Sequence, residues 1–338
     1  MFYLENNVSS PNRRSSGFNS LSQSTQKKGD SPPKRAKHNS AKLASMLEQA
    51  GEVADAWHLR ECGSFEMAES CECGKTSRQL SRSCKKRICP RCQSKRAFKR
   101  GKEIEAIISY LQKQKPFSGM LLFFGSFTIP NCSAEELNDK VTSLINGYKH
   151  LLRRPELRPY LIGSFRSIEI QFNKRSRDYH PHIHCIIAFK GSYIGHKGAY
   201  INQDRWRDLW KQSMGLTISP EVKVSRITPK RKFASIGAAA AAKVQYSMKP
   251  LESKRWVPKG LAAFNSAVKR RRLHSLTGAF ARTRRELPPY VRPCTCPACN
   301  GELTNRTMMA KPTNKHNSAP ALTSAYEEKK TTLSEIQM

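Results

Sequence analysis

The sequence predicts an α+β fold: an antiparallel sheet with flanking helices on one face, joined to a small cysteine-rich module. Two observations lead there. Strand-like runs lie at Met120–Ile129, Leu161–Phe172, His180–Phe189 and Glu221–Ile227, and apolar residues at helical spacing separate or flank them. The helical segments are 41–60, Ala97–Leu111, Ala134–Leu152, Gln203–Met214 and the alanine-rich Ser235–Met248, which Pro250 stops.

Taken in order, residues 1–40 are rich in Ser, Asn, Lys and Arg and bury too little to fold alone, which predicts a mobile basic arm. Residues 41–115 form a helical, cysteine-rich module, 116–290 the sheet domain, and 291–302 a cysteine knuckle. Residues 303–338 are polar and predict a second disordered tail. In the sheet domain, Ile168, Ile170 and Phe172 make one face of the second strand, while Ser167, Glu169 and Gln171 make the other.

Composition narrows the function. The 338 residues carry a formal net charge of +34, which predicts a polyanionic partner. No apolar run approaches the roughly 20 residues that span a bilayer, and the first residues lack the apolar core of a secretion signal. Nucleic acid is the expected partner rather than a membrane, and the cytoplasm the expected compartment. Eleven cysteines in such a chain read as thiols or metal ligands rather than disulfides. Six lie between Cys62 and Cys92 and three between Cys294 and Cys299; Cys132 and Cys185 stand alone and read as small buried apolar residues.

The segment Tyr179-His180-Pro181-His182-Ile183-His184 places three imidazoles at alternate positions before an apolar run. In a strand His180, His182 and His184 project one way, as a metal-binding row would. A shared core puts the apolar rows of neighbouring strands on one side. If the second and third strands are neighbours, Glu169 then joins His182 and His184 on the polar face. Two imidazoles and a carboxylate suit Mg²⁺ or Mn²⁺ with open positions for substrate; Glu169 as a solvated strand residue is the alternative.

A metal on a basic protein suggests phosphoryl transfer, and cutting and rejoining DNA calls for a covalent nucleophile such as a tyrosine. Among ten tyrosines, Tyr246 ends the alanine-rich helix and shares a face with Lys249. Lys249 can bind phosphate or stabilise a developing phenolate, which matters because a free phenol ionises near pH ~10. Taken alone, Tyr-x-x-Lys is also an ordinary helix end.

Cys84-x₄-Cys89-x₂-Cys92 supplies three thiolates for a structural Zn²⁺, and Cys71-x-Cys73 or Cys62 supplies the fourth; Cys73 is taken here. Cys294-x-Cys296-x₂-Cys299 is a candidate second site together with the remaining thiols. From Lys75 to Lys102 there are twelve Lys or Arg and no Asp or Glu. Lys85, Lys86, Arg87 and Arg91, with Arg271 and Arg272 further on, are the expected DNA contacts.

Phe127-Thr128-Ile129-Pro130-Asn131, His180-Pro181-His182-Ile183-His184 and Tyr246-Ser247-Met248-Lys249 resemble, in order, the three motifs of the HUH endonucleases. The similarity is greatest to the rolling-circle replication initiators of small bacterial plasmids, which also carry a cysteine segment like Cys84–Cys92 and a later stretch like Arg271–Phe280. It covers roughly residues 60 to 285. The resemblance implies an HUH endonuclease domain at 116–290. His182 and His184 would bind the metal, with Glu169 a third ligand and His180 in support. Tyr246 would form a 5′-phosphotyrosine at one strand of a plasmid origin, in single-stranded or hairpin DNA. Lys249 would assist at the phosphate. The free 3′-hydroxyl would serve a host polymerase, with a host helicase unwinding. One departure is Ala242, where members often carry a glutamate tied to termination; Glu252 is a candidate substitute. The competing readings are a transposase or mobilisation relaxase with the same chemistry, or a non-catalytic zinc-ribbon protein that binds nucleic acid.

Overall fold

The computed structural model describes residues 32–309, apart from 65, 75–76, 196–199, 230–232, 291–294, 297 and 304. Its elements in chain order are α1 (Pro32–Gln49), α2 (Val53–Glu61), β1 (Glu66–Ser70), β2 (Ser77–Ser81), α3 (Pro90–Gln112), β3 (Leu121–Thr128), α4 (Leu137–Leu152), β4 (Leu161–Phe172) and β5 (Tyr179–Phe189). Then follow α5 (Ser192–Gly195), α6 (Gln203–Met214), β6 (Val222–Arg226), α7 (Ile236–Ser247), α8 (Pro258–Val268), β7 (His274–Thr277), α9 (Gly278–Glu286) and β8 (Asn305–Met309). Among the described residues no helix is long and apolar enough to cross a membrane.

The fold is α+β around a five-stranded antiparallel sheet in the order β6-β3-β5-β4-β7. The four long runs expected from the sequence are its strands β3, β4, β5 and β6, and β4 and β5 are neighbours. Their register pairs Glu169 with His182 and Ser167 with His184.

Helices cover both faces, which corrects the expected one-sided arrangement. Phe123, Phe127, Ile168, Ile183, Ile187 and Phe189 pack with Leu144 and Tyr148 of α4 and Trp206 and Trp210 of α6. Leu122, Phe165, Ile186 and Ala188 point the other way and pack with Ile104, Ile107 and Ile108 of α3, Ala240 and Val244 of α7, and Phe280 of α9. The run Cys185-Ile186-Ile187-Ala188-Phe189 is apolar at every position because both of its faces are covered.

Two ends also differ from expectation. Helix α1 starts at Pro32, inside the expected arm, and Gly51, at φ +82°, separates it from α2. Strand β8 lies inside the expected tail and pairs with β1 in a second sheet of order β2-β1-β8. The expectations for residues 1–31 and 310–338 lie outside the described residues.

Candidate active site

The site lies where a helix ends over the sheet. Helix α7 opens at Ser235, whose Oγ accepts the Ala238 amide at 3.0 Å. Its alanines let it approach α3 closely: a Cβ on Gly101 of α3 would meet Gln245 Nε2 at 2.8 Å and the Ala241 carbonyl at 3.2 Å. The helix stops at Ser247, where Ser167 Oγ of β4 donates to the Ser247 carbonyl at 3.2 Å. Gln93 Nε2 of α3 donates to the next carbonyl, Met248, at 3.0 Å. These bonds fix the turn that carries Tyr246 and Lys249.

Beyond that end, the inner row of β5 turns from Ala188 and Ile186 to His184, His182 and His180. His182 and His184 are 4% and 8% exposed. Their Nε2 atoms stand 3.1 Å apart, and they lie 3.5 Å and 3.1 Å from the same Glu169 oxygen, Oε2. Phe124 stacks on the His184 ring at 5.6 Å. His184 Nδ1 is buried without a hydrogen-bond partner. Three donor atoms converging within 4.8 Å, two of them facing ring nitrogens, fit a shared divalent cation.

Burial acts to raise the pKa of Glu169, but hydrogen bonds from His182, His184 and Lys249 outweigh it and hold the carboxyl well below the usual range. Burial pushes His184 down, against the pull of Glu169, and burial beside His182 lowers His180 as well. These directions favour an ionised Glu169 carboxylate and a neutral His184 imidazole, the forms that bind metal.

Tyr246 is 59% exposed, with its ring centroid 6.0 Å from that of His184. Lys249 Nζ lies 5.4 Å from the Tyr246 ring centroid and 2.9 Å from Glu169 Oε1, so it links the tyrosine to the carboxylate. A cavity of about 290 Å³ is lined by all six residues singled out above, His180 included, and by Ser126, Thr128, Gln171, Glu221 and Lys223.

Sequence reasoning missed Ser126, Glu221 and Lys223. It placed Gln171 on the polar face with Glu169, and Thr128 and Asn131 in the first motif, without giving these three a part in the site, where Asn131 Oδ1 is 2.7 Å from His180 Nδ1. Ser126 and Thr128 were legible in principle, because they alternate on β3 opposite His184 and His182. Ala242 is one helical turn before Tyr246 and offers no carboxylate. Glu252 pairs with Arg255 at 3.3 Å and Lys254 at 3.6 Å, and lines a neighbouring cleft rather than this cavity.

The thiols sort into two groups, which corrects the expected zinc set. Cys62, not Cys73, joins Cys84, Cys89 and Cys92, all four sulfurs within 4.8 Å. Cys73 lies with Cys71, Cys296 and Cys299; Cys294 lies outside the described residues. Cys62 follows α2, and Cys89 caps α3, so the first group holds the start of the helix that buttresses α7. Cys132 and Cys185 are buried in the apolar core.

The expected DNA contacts are partly engaged within the protein. Lys86 pairs with Asp55. Arg91 donates to the Cys62 carbonyl at 3.4 Å, and Arg271 holds Asn138 at 2.6 Å and Thr142 at 2.8 Å. Arg87 lines the neighbouring cleft beside Glu169 and Lys249. Lys85 and Arg272 are exposed.

A basic α+β protein with a two-histidine, one-carboxylate cluster beside an exposed tyrosine defines a class suited to phosphate chemistry. Residues 76–306 match the replication protein family, and the chain belongs to that family. It is similar to "Protein rep" of Streptococcus pneumoniae, 31% identical over 50% of this chain and 52% of that protein. It is also similar to "Protein rep" of Staphylococcus aureus, 32% identical over 43% and 62%, and of Lactiplantibacillus plantarum, 31% identical over 49% and 53%. The matched region thus spans between half and two thirds of those relatives' length. No solved structure shows a significant match to the chain.

Proposed function

We propose that this chain initiates rolling-circle replication of a plasmid by nicking one origin strand, with Tyr246 as nucleophile. The observation that carries the reading is the placement of the exposed Tyr246 beside the buried His182/His184/Glu169 cluster, in one cavity with Lys249. The family match and the charge of +34 support DNA as the substrate.

In this reading the Tyr246 oxygen attacks the scissile phosphorus, and the bond to the 3′ oxygen breaks. The phenolic proton leaves, and the departing 3′ oxygen gains one to become the 3′-hydroxyl. The phosphate remains on the protein as a 5′-phosphotyrosine. Lys249 shifts from Glu169 toward the phosphate as DNA enters, and Gln93 and Ser167 hold the helix end so that the attack geometry is kept. His182, His184 and Glu169 would hold Mg²⁺ or Mn²⁺, which supplies neutralisation of charge on the phosphate. Cys62, Cys84, Cys89 and Cys92 would hold a structural Zn²⁺ at the head of α3.

The test is a covalent-adduct assay on supercoiled DNA of the protein's own replicon, read under denaturing conditions. Wild-type protein with Mg²⁺ or Mn²⁺ should yield a stable protein–DNA adduct that Tyr246→Phe lacks. Binding without nicking by both proteins alike would sink the proposal.

A further inference from the structure

The second group of thiols differs from the first in what surrounds it. Cys62, Cys89 and Cys92 belong to the large core, packed with residues such as Leu47, Leu59 and Ile88. Cys71 and Cys296 belong to a cluster whose only other buried apolar member, among the described residues, is Leu303. Cys73 and Cys299 are exposed. Yet this small region holds the β2-β1-β8 sheet, which unites a hairpin near the N-terminal end with a strand near the C-terminal end. The apolar side chains described in this cluster, Cys71, Cys296 and Leu303, do not by themselves offset the entropy of ordering two distant segments.

The geometry around the thiols is that of a metal clamp. Cys71 and Cys299 sulfurs are 3.1 Å apart, and those of Cys73 and Cys296 are 3.6 Å apart, each pair separated by more than 220 positions in the chain. All four lie within 4.8 Å of one another. Tetrahedral zinc at Zn–S distances of about 2.3 Å brings sulfurs to about 3.8 Å, so small adjustments close the site.

The backbone is already folded around the sulfurs. The Ala298 amide donates to Cys296 Sγ at 3.4 Å, the Cys296 amide to Gly301 at 2.8 Å, and the Asn300 amide to Cys296 at 2.8 Å. Asn300 takes φ +57° to make that turn, and Gly74, at φ +70°, closes the turn after Cys71. A Cβ on Gly301 would sit 3.3 Å from Cys299 Sγ and 3.5 Å from Cys71 Sγ, so the knuckle packs directly on the thiols.

We propose that Cys71, Cys73, Cys296 and Cys299 bind a second Zn²⁺, and that this ion ties the C-terminal knuckle and β8 to the β1–β2 hairpin. The inference does not depend on the cleavage reading. It carries two consequences. The module is metal-conditional: without zinc, β8 and the knuckle release while the five-stranded sheet stays folded. The two ions also differ in exchange, the buried Cys62/Cys84/Cys89/Cys92 site holding its zinc longer than the half-exposed second site.

Zinc content of the purified full chain decides this, measured in a His182→Ala/His184→Ala background so that the histidine site adds nothing. Native mass spectrometry and elemental analysis should give two zinc ions per chain. Cys296→Ser/Cys299→Ser should give one, with unchanged far-ultraviolet circular dichroism of the main body and a new protease cut between residues 287 and 304. Brief chelation of the parent should produce the same cut with loss of one ion. Replacement by Co²⁺ should give thiolate-to-cobalt absorbance that falls by half in the double variant. One zinc in the parent, or two zincs retained by Cys296→Ser/Cys299→Ser, would overturn the proposal. A parent with two zincs whose protease pattern is unmoved by losing one would overturn the clamp.

Discussion

The two faces of the central sheet make opposite use of the same strand. On β5 the outer row Tyr179, Ile183, Cys185, Ile187 and Phe189 is buried throughout, with Tyr179 Oη donating to the Gly260 carbonyl of α8 at 2.8 Å. The inner row is apolar only at Ala188 and Ile186, under α3 and α7, and then becomes His184, His182 and His180. The difference comes from where the cover ends. Helix α7 stops at Ser247, so the remaining sheet surface is lined by side chains able to ligate a metal, with one wall left open. The outer face is buried along its whole length, while the inner face gives up burial where the proposed chemistry would lie.

The largest effect that would break this division lies at the open end. Tyr246→Phe should abolish the covalent adduct, a loss of about a thousand-fold or more in cleavage, as removing a nucleophile does. Thermal stability should stay the same, since the exposed hydroxyl supports no packing. His182→Ala should lower cleavage comparably and weaken Mn²⁺ binding in calorimetry, while leaving the fold intact. If either variant unfolded, the inner row would be a structural element after all.

On the outer face the expectation reverses. Phe127 is fully buried among Tyr148, Trp206 and Trp210. Phe127→Ala should cost about 3–5 kcal/mol by denaturant unfolding, and the folded fraction should bind Mn²⁺ as before. Between the two lies the α3–α7 contact. Gly101→Val would force the new side chain against the Ala241 carbonyl and Gln245, costing about 1–3 kcal/mol. It should also slow cleavage without weakening metal binding, because it displaces the helix that carries Tyr246 and leaves β5 in place.

Much of the inner face was legible in the sequence because strand alternation is a local rule. The period of two aligned His182 with His184, and the shared-core argument placed Glu169 beside them, as the register of β4 and β5 bears out. What failed was non-local. Cys62 rather than Cys73 completes the first thiol group because α1 packs against both α2 and α3 and brings the end of α2 to the start of α3, which spacing along the chain does not encode. Strand β8 escaped notice because Asn305–Met309 pairs with a strand more than 200 residues away and has little apolar signal of its own. The two-sided burial of the sheet was written in the unbroken apolar run 185–189, which a one-face reading of the histidines passed over.

The smallest prediction sharpens the contrast within the inner face itself. His274 of β7 sits opposite Ser167, on the same side as the three histidines, but guanidinium groups surround it instead of a carboxylate. Burial, and then Arg100, Arg87, Arg96 and Arg166, push its pKa down to about 3. The side chain is therefore neutral in the fold and charges readily once unfolded, where it titrates near pH ~6.5. Its contribution is fully present above pH ~6.5 and is lost as pH falls from there toward about 3. At pH ~5 the loss should be about 1–2 kcal/mol. His274→Gln, compared with the parent by thermal unfolding at pH 7.5 and pH 5, should narrow the gap between the two melting temperatures. An equal gap in both proteins would mean that the arginines around His274 are well enough hydrated to leave it unperturbed.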